Sequence, residues 1–405
     1  RIEEAAGLAG AIDLTVVESV VAPISQIRPA TYLGKGKVEE INGLVASNTV
    51  ELVVMDCALS PIQQRNLEKA WSTKVLDRTG LILEIFGRRA RTREGRLQVE
   101  LARLEYERSR LVRTWTHLER QRGGTGGTGG PGETQIELDR RMIADRIVRL
   151  KAELEEVRRT RGLHRKARKQ VPFPSVALVG YTNAGKSTLF NRLTGAEVMA
   201  KDLLFATLDT TQRTIRLPQG RPAIIADTVG FVSDLPHELV ESFRATLEEV
   251  GEADLILHVR DIASPDSAAQ AKDVEAVLEQ IPTPEGKSRR ILEVWNKIDL
   301  LEPETREAVV GQAERLARER QAVAVSAWTG EGIETLREII AGLIDDDPET
   351  HLTVEPHRGD LLAWLYANGR VTGRETDDEG RVHLTVRLHP AALGRLERLY
   401  PDVID

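Results

Sequence analysis

The chain has 405 residues, with 56 Lys and Arg against 63 Asp and Glu for a formal net charge of −7, and 41% of it is hydrophobic but only 4% aromatic. That length suggests about three domains of ordinary size, and the apolar content supplies aliphatic cores, which excludes a disordered or fibrous chain. The single cysteine, Cys57, excludes a disulfide framework, and no apolar run reaches the roughly 18 residues that span a bilayer, so a cytoplasmic protein is expected. The first residues, Arg1-Ile2-Glu3-Glu4, carry no signal-peptide pattern and no initiator methionine, so a truncated N-terminus is expected.

Residues 1–95 alternate strand-like and helix-like runs. Leu14-Thr15-Val16-Val17 and Leu52-Val53-Val54-Met55 predict strands, while Gly36 to Val45 and Ser60 to Trp71 have helical spacing, with Asp56 and Ser60 placed to open turns or caps. A small α/β unit with a parallel sheet follows, with Cys57 as a small core residue at a strand end.

Residues 96–170 predict two helices. Leu97, Leu104, Leu111 and Leu118 repeat every seven positions with Leu101 and Trp115 between them, and Ile136, Ile143, Leu150 and Val157 repeat likewise with Ile147 and Leu154. Two such stripes joined by a short connection pack as an antiparallel coiled-coil hairpin. The connection, 123–135, holds seven glycines in thirteen residues and cannot build a core of its own. From Arg88 to Lys169 there are 23 Lys and Arg against 12 Asp and Glu, a net of +11, which leaves −18 for the rest of the chain. Charged coiled-coil faces are usually solubilising and glycine loops usually linkers. Confinement of the arginine excess to this hairpin favours RNA phosphates instead, with Arg120, Arg122, Arg140 and Arg141 beside the tip and Gly130 and Gly132 within it as contacts.

A third region, 173–345, carries the chemistry. The apolar run Val176 to Val179 leads into Gly180-Tyr181-Thr182-Asn183-Ala184-Gly185-Lys186-Ser187 and then Thr188-Leu189-Phe190, which reads as strand, tight loop and helix start. Such a loop aims successive backbone N–H groups at phosphate oxygens, Lys186 reaches the β and γ phosphates, and the Ser187 hydroxyl ligates Mg²⁺. Forty residues on, Ala223 to Ala226 runs into Asp227-Thr228-Val229-Gly230, where Asp227 can hold the metal through water and the Gly230 N–H can sense the γ phosphate. Ile291 to Trp295 leads into Asn296-Lys297-Ile298-Asp299. The Asp299 carboxylate can accept from both N1–H and N2–H₂ of guanine, a donor pair adenine does not present, while Asn296 braces the loop and Lys297 lies over the ring. Val323 to Val325 ends in Ser326-Ala327, whose backbone can donate to guanine O6. The expected nucleotide is therefore GTP or GDP with Mg²⁺. Between the phosphate loop and Asp227, Thr207 is the expected switch threonine completing the Mg²⁺ shell, with Thr210 and Thr211 as neighbours.

Residues 351–405 alternate strand-like Leu352 to Val354, helix-like Asp360 to Tyr366, strand-like Val382 to Leu388 and helix-like Ala391 to Leu399. They predict a small α/β appendage. The expected fold class is thus multidomain α/β: a small N-terminal α/β unit, an antiparallel helical hairpin, a P-loop doubly wound domain and a small C-terminal α/β domain.

Beyond the nucleotide motifs, Tyr32-Leu33-Gly34-Lys35-Gly36-Lys37, Leu59-Ser60-Pro61, Gln64-Arg65-Asn66-Leu67-Glu68 and Asp77-Arg78-Thr79-Gly80-Leu81-Ile82-Leu83 stand in the first region. Arg91-Thr92-Arg93-Glu94-Gly95 follows, and Gly130-Pro131-Gly132-Glu133-Thr134-Gln135 with Asp139-Arg140-Arg141 lies in the hairpin. Through these the chain resembles the HflX family of ribosome-associated GTPases over nearly its whole length. Departures from the family pattern are the repetitive Gly124 to Gly129 stretch and Thr210, where a proline is common. The resemblance implies binding to the large (50S) ribosomal subunit with the glycine loop toward the peptidyl-transferase region, and dissociation or rescue of stalled 70S ribosomes under stress.

Two loop residues bear on turnover. Many small GTPases carry a water-orienting glutamine where this chain has Phe231, so slow intrinsic hydrolysis and activation by a partner are expected. Asn183, together with Lys186, Thr207 and Gly230 the expected catalytic set, is either a loop brace or, as in family relatives, a residue that uses K⁺ beside the phosphates. A GTP-gated rRNA-binding factor in 50S assembly without splitting activity is the alternative function. A metabolic GTPase finds no catalytic constellation outside the nucleotide site, since His164, His258 and His351 are isolated in sequence. A monomer is expected. The Gly34 to Lys37 loop lacks phosphate-loop spacing and favours an RNA or turn role.

Overall fold

In a computed structural model of the chain the described residues are 1–121, 131–168, 173–196, 204–205, 207–208, 210–218, 222–233, 249–281, 289–344, 349–388 and 390–400, the side chains of 112–121, 131–136, 158, 161–168, 370 and 390–391 aside. They form two compact units, 1–215 with 222–334 and 216–221 with 335–405. Among the described residues no helix is long and apolar enough to cross a membrane.

The N-terminal part contains helix α1 (Ile2–Gly10), α2 (Lys35–Ser47), strand β1 (Leu52–Met55), α3 (Pro61–Trp71), β2 (Lys74–Asp77) and α4 (Arg78–Arg89). β1 and β2 pair in parallel, Leu52 opposite Lys74 through Met55 opposite Asp77. Helix α3 starts where a complete capping box forms: Ser60 Oγ accepts from Gln63 N at 3.2 Å while Ser60 N donates to Gln63 Oε1 at 2.9 Å, an arrangement worth about 1 kcal/mol. The Gly34 to Lys37 segment opens α2, with Gly34 as its N-cap, so it serves a helix start.

Leu14-Thr15-Val16-Val17, expected as a strand, is not one. Val16, Val17, Val20 and Val21 are 37–71% exposed. β-Propensity records how well a side chain packs against neighbouring strands, and the sheet beside this stretch has only two strands, neither of which receives it.

Helices α5 (Arg93–Gln121) and α6 (Pro131–Arg168) form the hairpin. Leu97, Leu101, Ile147, Leu150 and Leu154 are buried along the seam, with Leu104, Ile143 and Val157 packed against them. Arg146 to Glu100 at 2.7 Å and Lys151 to Glu105 at 2.9 Å tie the two helices across their flanks. The root of the hairpin is fixed to the N-terminal part by Asp77, 1% exposed. Its carboxylate caps α4 through Gly80 N at 2.8 Å and also accepts from Tyr106 Oη at 2.7 Å and Arg110 Nη1 at 3.2 Å, both on α5. Arg122 and Gly130 lie outside the described residues, as do the side chain of Arg120 and the surroundings of Gly132. Arg140 and Arg141 are exposed on α6.

The central sheet has the order β4-β5-β3-β6-β7-β8, built from β3 (Ser175–Gly180), β4 (Thr211–Arg216), β5 (Pro222–Asp227), β6 (Leu255–Asp261), β7 (Ile291–Asn296) and β8 (Ala322–Ala324). The β5-β3, β3-β6, β6-β7 and β7-β8 pairs are parallel. Strands buried on both faces read as continuous apolar runs, as Ala177 to Val179 and Leu255 to Leu257 do, each at 1% exposure or less. β3, β5, β6 and β7 end at Gly180, Asp227, Asp261 and Asn296, so their carboxyl ends gather the motif residues along the edge where doubly wound sheets bind ligands.

One core joins regions that are far apart in sequence. Leu8 of α1, Ile12 in the turn after it, and Leu81, Ile82, Ile85 and Phe86 of α4 pack in a single cluster with Val179, Tyr181, Phe205, Leu208, Val229, Phe231 and Val232 around the nucleotide loops. Phe86 meets Phe205 edge to face, with ring centroids 4.7 Å apart.

The second unit contains β9 (Glu349–Val354), β10 (Arg370–Thr376) and β11 (Val382–Arg387) in an antiparallel sheet of order β10-β11-β9. Leu352, Leu384 and Val386 pack on Leu361 and Leu365 of the helix Gly359–Asn368 and Leu396 of the helix Pro390–Leu399. β10 was not expected. Its sequence Arg-Val-Thr-Gly-Arg-Glu-Thr has one apolar side chain and a glycine, yet β11 offers it an edge, and a register shift between Val371 and Gly373 accommodates it.

Candidate nucleotide site

The loop after β3 turns into α7 (Lys186–Thr194) through Gly185, whose φ is +90° and where an added Cβ would stand 2.2 Å from Asn296 Nδ2. No side chain fits there. Lys186 is buried, and its Nζ donates to the Gly180 and Tyr181 carbonyls at 3.0 and 2.8 Å. Burial lowers its pKa to about 8, with Asp227 opposing the shift. An ammonium held against two loop carbonyls is the group such a loop presents to phosphate.

Ser187, Thr207 and Asp227 converge. Ser187 Oγ donates to Asp227 Oδ2 at 2.8 Å, Thr207 Oγ1 donates to the same oxygen at 3.0 Å, and the two hydroxyls lie 2.9 Å apart. Asp227 is fully buried, which pushes its carboxyl pKa up, while Lys186 and the two hydroxyls pull it down. Its other oxygen, Oδ1, is buried without a hydrogen-bond partner among the described residues. An orphaned carboxylate oxygen in a set of hydroxyls is a donor set suited to a hard divalent cation.

Gly230 closes over this pair. A Cβ at Gly230 would meet Thr182 Cγ2 at 2.8 Å and Lys186 Nζ at 3.0 Å. The following residue zips the two loops together, since Thr182 N donates to Phe231 O at 2.7 Å and Phe231 N to Gly180 O at 3.1 Å. Phe231 is 2% exposed in the core, so its side chain reaches no water.

At the other end Asn296, 2% exposed, bridges two loops: its Nδ2 donates to Ala184 O at 2.8 Å and its Oδ1 accepts from Ala327 N at 2.9 Å. Lys297 has φ +68° and its Nζ donates to Asp261 Oδ2 at 2.7 Å. Asp299 is exposed in the 3₁₀ turn Ile298–Leu300. The Ser326 and Ala327 amides, expected as donors to guanine O6, are both engaged within the protein. Ser326 N donates to Glu331 O at 3.0 Å, and Ala327 N to Asn296.

Four family models match the chain in succession: "GTP-binding GTPase N-terminal" over 1–87, "GTP-binding GTPase Middle Region" over 89–168, "50S ribosome-binding GTPase" over 175–297 and "HflX C-terminal domain" over 311–402. The GTPase HflX of Magnetococcus marinus is 48% identical over 397 residues, covering 98% of this chain and 90% of that protein. The GTPase HflX of Escherichia coli is 42% identical over 405 residues, covering 100% and 93%. The chain belongs to the HflX family of GTPases. Among solved structures, the crystal structure of the SsGBP and GDP complex matches with TM-score 0.51 and 26% identity over 84% of this chain and 94% of that one.

As an HflX GTPase the chain binds GTP and hydrolyses it to GDP and phosphate. In this HflX chain the segment beyond Gly230 is also held from the N-terminal side, which the sequence did not suggest. Ser233 N donates to Tyr181 Oη at 2.8 Å, Ser233 Oγ donates to Glu4 Oε2 at 3.1 Å, and Ser233 O accepts from Arg78 Nη2 at 3.0 Å. Arg78 in turn pairs with Glu4 at 2.5 Å and with Asp56. Burial raises the Tyr181 pKa to about 12, so its hydroxyl stays protonated. No local signal points to this network, because Arg78 and Ser233 are separated by 155 positions.

Asp299→Asn is expected to weaken GDP binding about 100-fold, because two hydrogen bonds to a charged acceptor are lost. XDP affinity should rise, since the asparagine amide can donate to the carbonyl that replaces the 2-amino group. Equilibrium titration with the two nucleotides checks this, and an unchanged GDP affinity would remove Asp299 from base recognition.

Proposed function

We propose that this GTPase binds the large ribosomal subunit through the hairpin and dissociates or rescues stalled 70S ribosomes. The observation that carries the reading is the arginine excess confined to 88–169, net +11 in a chain of net −7, on a helical hairpin rooted by Asp77 beside the nucleotide unit. The match of residues 175–297 to a family described as "50S ribosome-binding GTPase" supports it. The hairpin of 96–170 is the RNA-binding domain in this reading, with Arg120, Arg122, Arg140 and Arg141 on phosphates and Gly130 and Gly132 at the tip.

Within the GTPase region, Gly180 to Thr188 cradle the phosphates, Lys186 neutralises the β and γ oxygens, and Asn296, Lys297, Asp299, Ser326 and Ala327 frame the base. Ser187 and Thr207 ligate Mg²⁺, with Asp227 acting through water, and the ion when bound neutralises charge developing on the phosphate oxygens. Gly230 N–H reads the γ phosphate. With Phe231 buried, no side chain at that position orients water, so turnover is slow until the ribosome contributes. Asn183, exposed with φ +60°, lends its carbonyl oxygen to K⁺ beside the phosphates. Rates equal in KCl and NaCl would exclude that last role.

Light scattering of 70S particles with GTP tests the splitting. A fall in scattering that requires GTP is expected. Unchanged scattering with retained 50S binding would favour the assembly or quality-control reading instead.

A further inference from the structure

Two buried polar side-chain atoms at the nucleotide site have no hydrogen-bond partner among the described residues: Asp227 Oδ1, which belongs to the cation donor set above, and Thr182 Oγ1. Thr182 is 6% exposed. A threonine hydroxyl in a loop ordinarily bonds a backbone group nearby, as the buried Thr228 does by donating to Leu178 O at 2.5 Å. Neighbouring hydroxyls are committed as well, Ser187 and Thr207 to Asp227 and Tyr181 to Ser233. A hydroxyl buried without a partner is destabilising, so the fold gains nothing from this one.

Its surroundings are those of the reacting phosphate. Thr182 N donates to Phe231 O at 2.7 Å, which pins the residue against the loop after β5. A Cβ on Gly230 would stand 2.8 Å from Thr182 Cγ2 and 3.0 Å from Lys186 Nζ, so the threonine side chain, the ammonium and Gly230 surround one small space. Lysine and glycine in these two motifs are the groups that meet the γ phosphate. Phe231, where many GTPases carry a water-orienting glutamine, keeps its ring in the core at 2% exposure.

We propose that the Thr182 hydroxyl orients the attacking water in GTP hydrolysis, the task that Phe231 cannot perform. Its oxygen accepts a hydrogen bond from the water, and its O–H donates one to a γ-phosphate oxygen. The water oxygen bonds to the γ phosphorus while the bond from that phosphorus to the β–γ bridging oxygen breaks. The bridging electron pair leaves with GDP, one water proton passes to a γ-phosphate oxygen, and Thr182 keeps its own. A neutral hydroxyl thus positions water without deprotonating it, in keeping with slow turnover of the free chain. This role rests on the nucleotide-loop assignment and is independent of the ribosomal reading.

Thr182→Val keeps the shape and the methyl group against Gly230 and removes only the hydroxyl. In the full chain without ribosomes, its single-turnover hydrolysis is expected to fall about 10- to 100-fold, the size of effect that misplacing a reactant produces. GDP affinity should stay unchanged, while affinity for GDP with aluminium fluoride, a mimic of the transferring phosphoryl group, falls in parallel with the rate. Thr182→Ser should retain most of the wild-type rate, and the denaturant midpoint of Thr182→Val should not drop, because an unpartnered buried polar atom is removed. Hydrolysis by Thr182→Val at the wild-type rate would overturn the proposal, as would a loss of GDP affinity that matched the loss of rate. A Ser variant as slow as the Val variant, or a lower midpoint in Thr182→Val, would make the residue a structural one and overturn it too. Wild-type chain that bound no GDP would instead contradict the nucleotide site itself.

Discussion

Lys186→Ala is expected to lower kcat/KM for GTP by about 100- to 1,000-fold, the range seen when a single preorganised donor to developing negative charge is removed. The ammonium is buried and fixed by the Gly180 and Tyr181 carbonyls at 3.0 and 2.8 Å, so it needs little reorganisation when phosphate arrives. Removing it also leaves Asp227, 0% exposed, without the nearby positive charge that counters its burial. Lys186→Arg should not rescue, because the planar guanidinium is too wide for a pocket so close around Nζ that even a Cβ added at Gly230 would stand 3.0 Å from it. Single-turnover hydrolysis with purified protein checks this, and wild-type rates in either variant would contradict the assignment.

Arg78→Ala is expected to cost about 3 kcal/mol of stability, the low end for breaking a buried ion pair, since Glu4 and Asp56 retain some water. The Arg78 side chain is 7% exposed against 15% for Glu4 and 26% for Asp56. Its loss strands two carboxylates and frees the Ser233 carbonyl. Denaturant unfolding reads the change as a lower midpoint, and Glu4→Gln combined with Arg78→Ala should lose less than the sum of the two single variants, because the partners share one interaction. Strictly additive losses would show that Glu4 and Arg78 do not couple.

The nucleotide motifs were legible because each is a contiguous string at a strand end, and the parallel sheet brings those ends together without further instruction. Periodicity likewise disclosed the hairpin, whose seam of Leu97, Leu101, Ile147, Leu150 and Leu154 is a regular stripe. What stayed hidden depends on distant partners. Leu14 to Val17 has strand composition but no strand edge to receive it, and β10 has loop composition but finds an edge at β11. The packing of α1 and α4 against Tyr181, Phe205 and Phe231 could not be foreseen, since apolar helix faces do not name their partners. Engagement of the Ser326 and Ala327 amides within their own loop was equally invisible, because it follows from the Asn296 and Glu331 positions in space.

Nucleotide-gated attachment to the large ribosomal subunit is the central functional claim, and co-sedimentation measures it most directly. The chain is mixed with 50S particles in GDP or in a non-hydrolysable GTP analogue, at fixed salt because phosphate contacts are salt-dependent. Pelleting is predicted in the analogue and reduced in GDP. Equal pelleting in both nucleotides, or none in either, would contradict the claim.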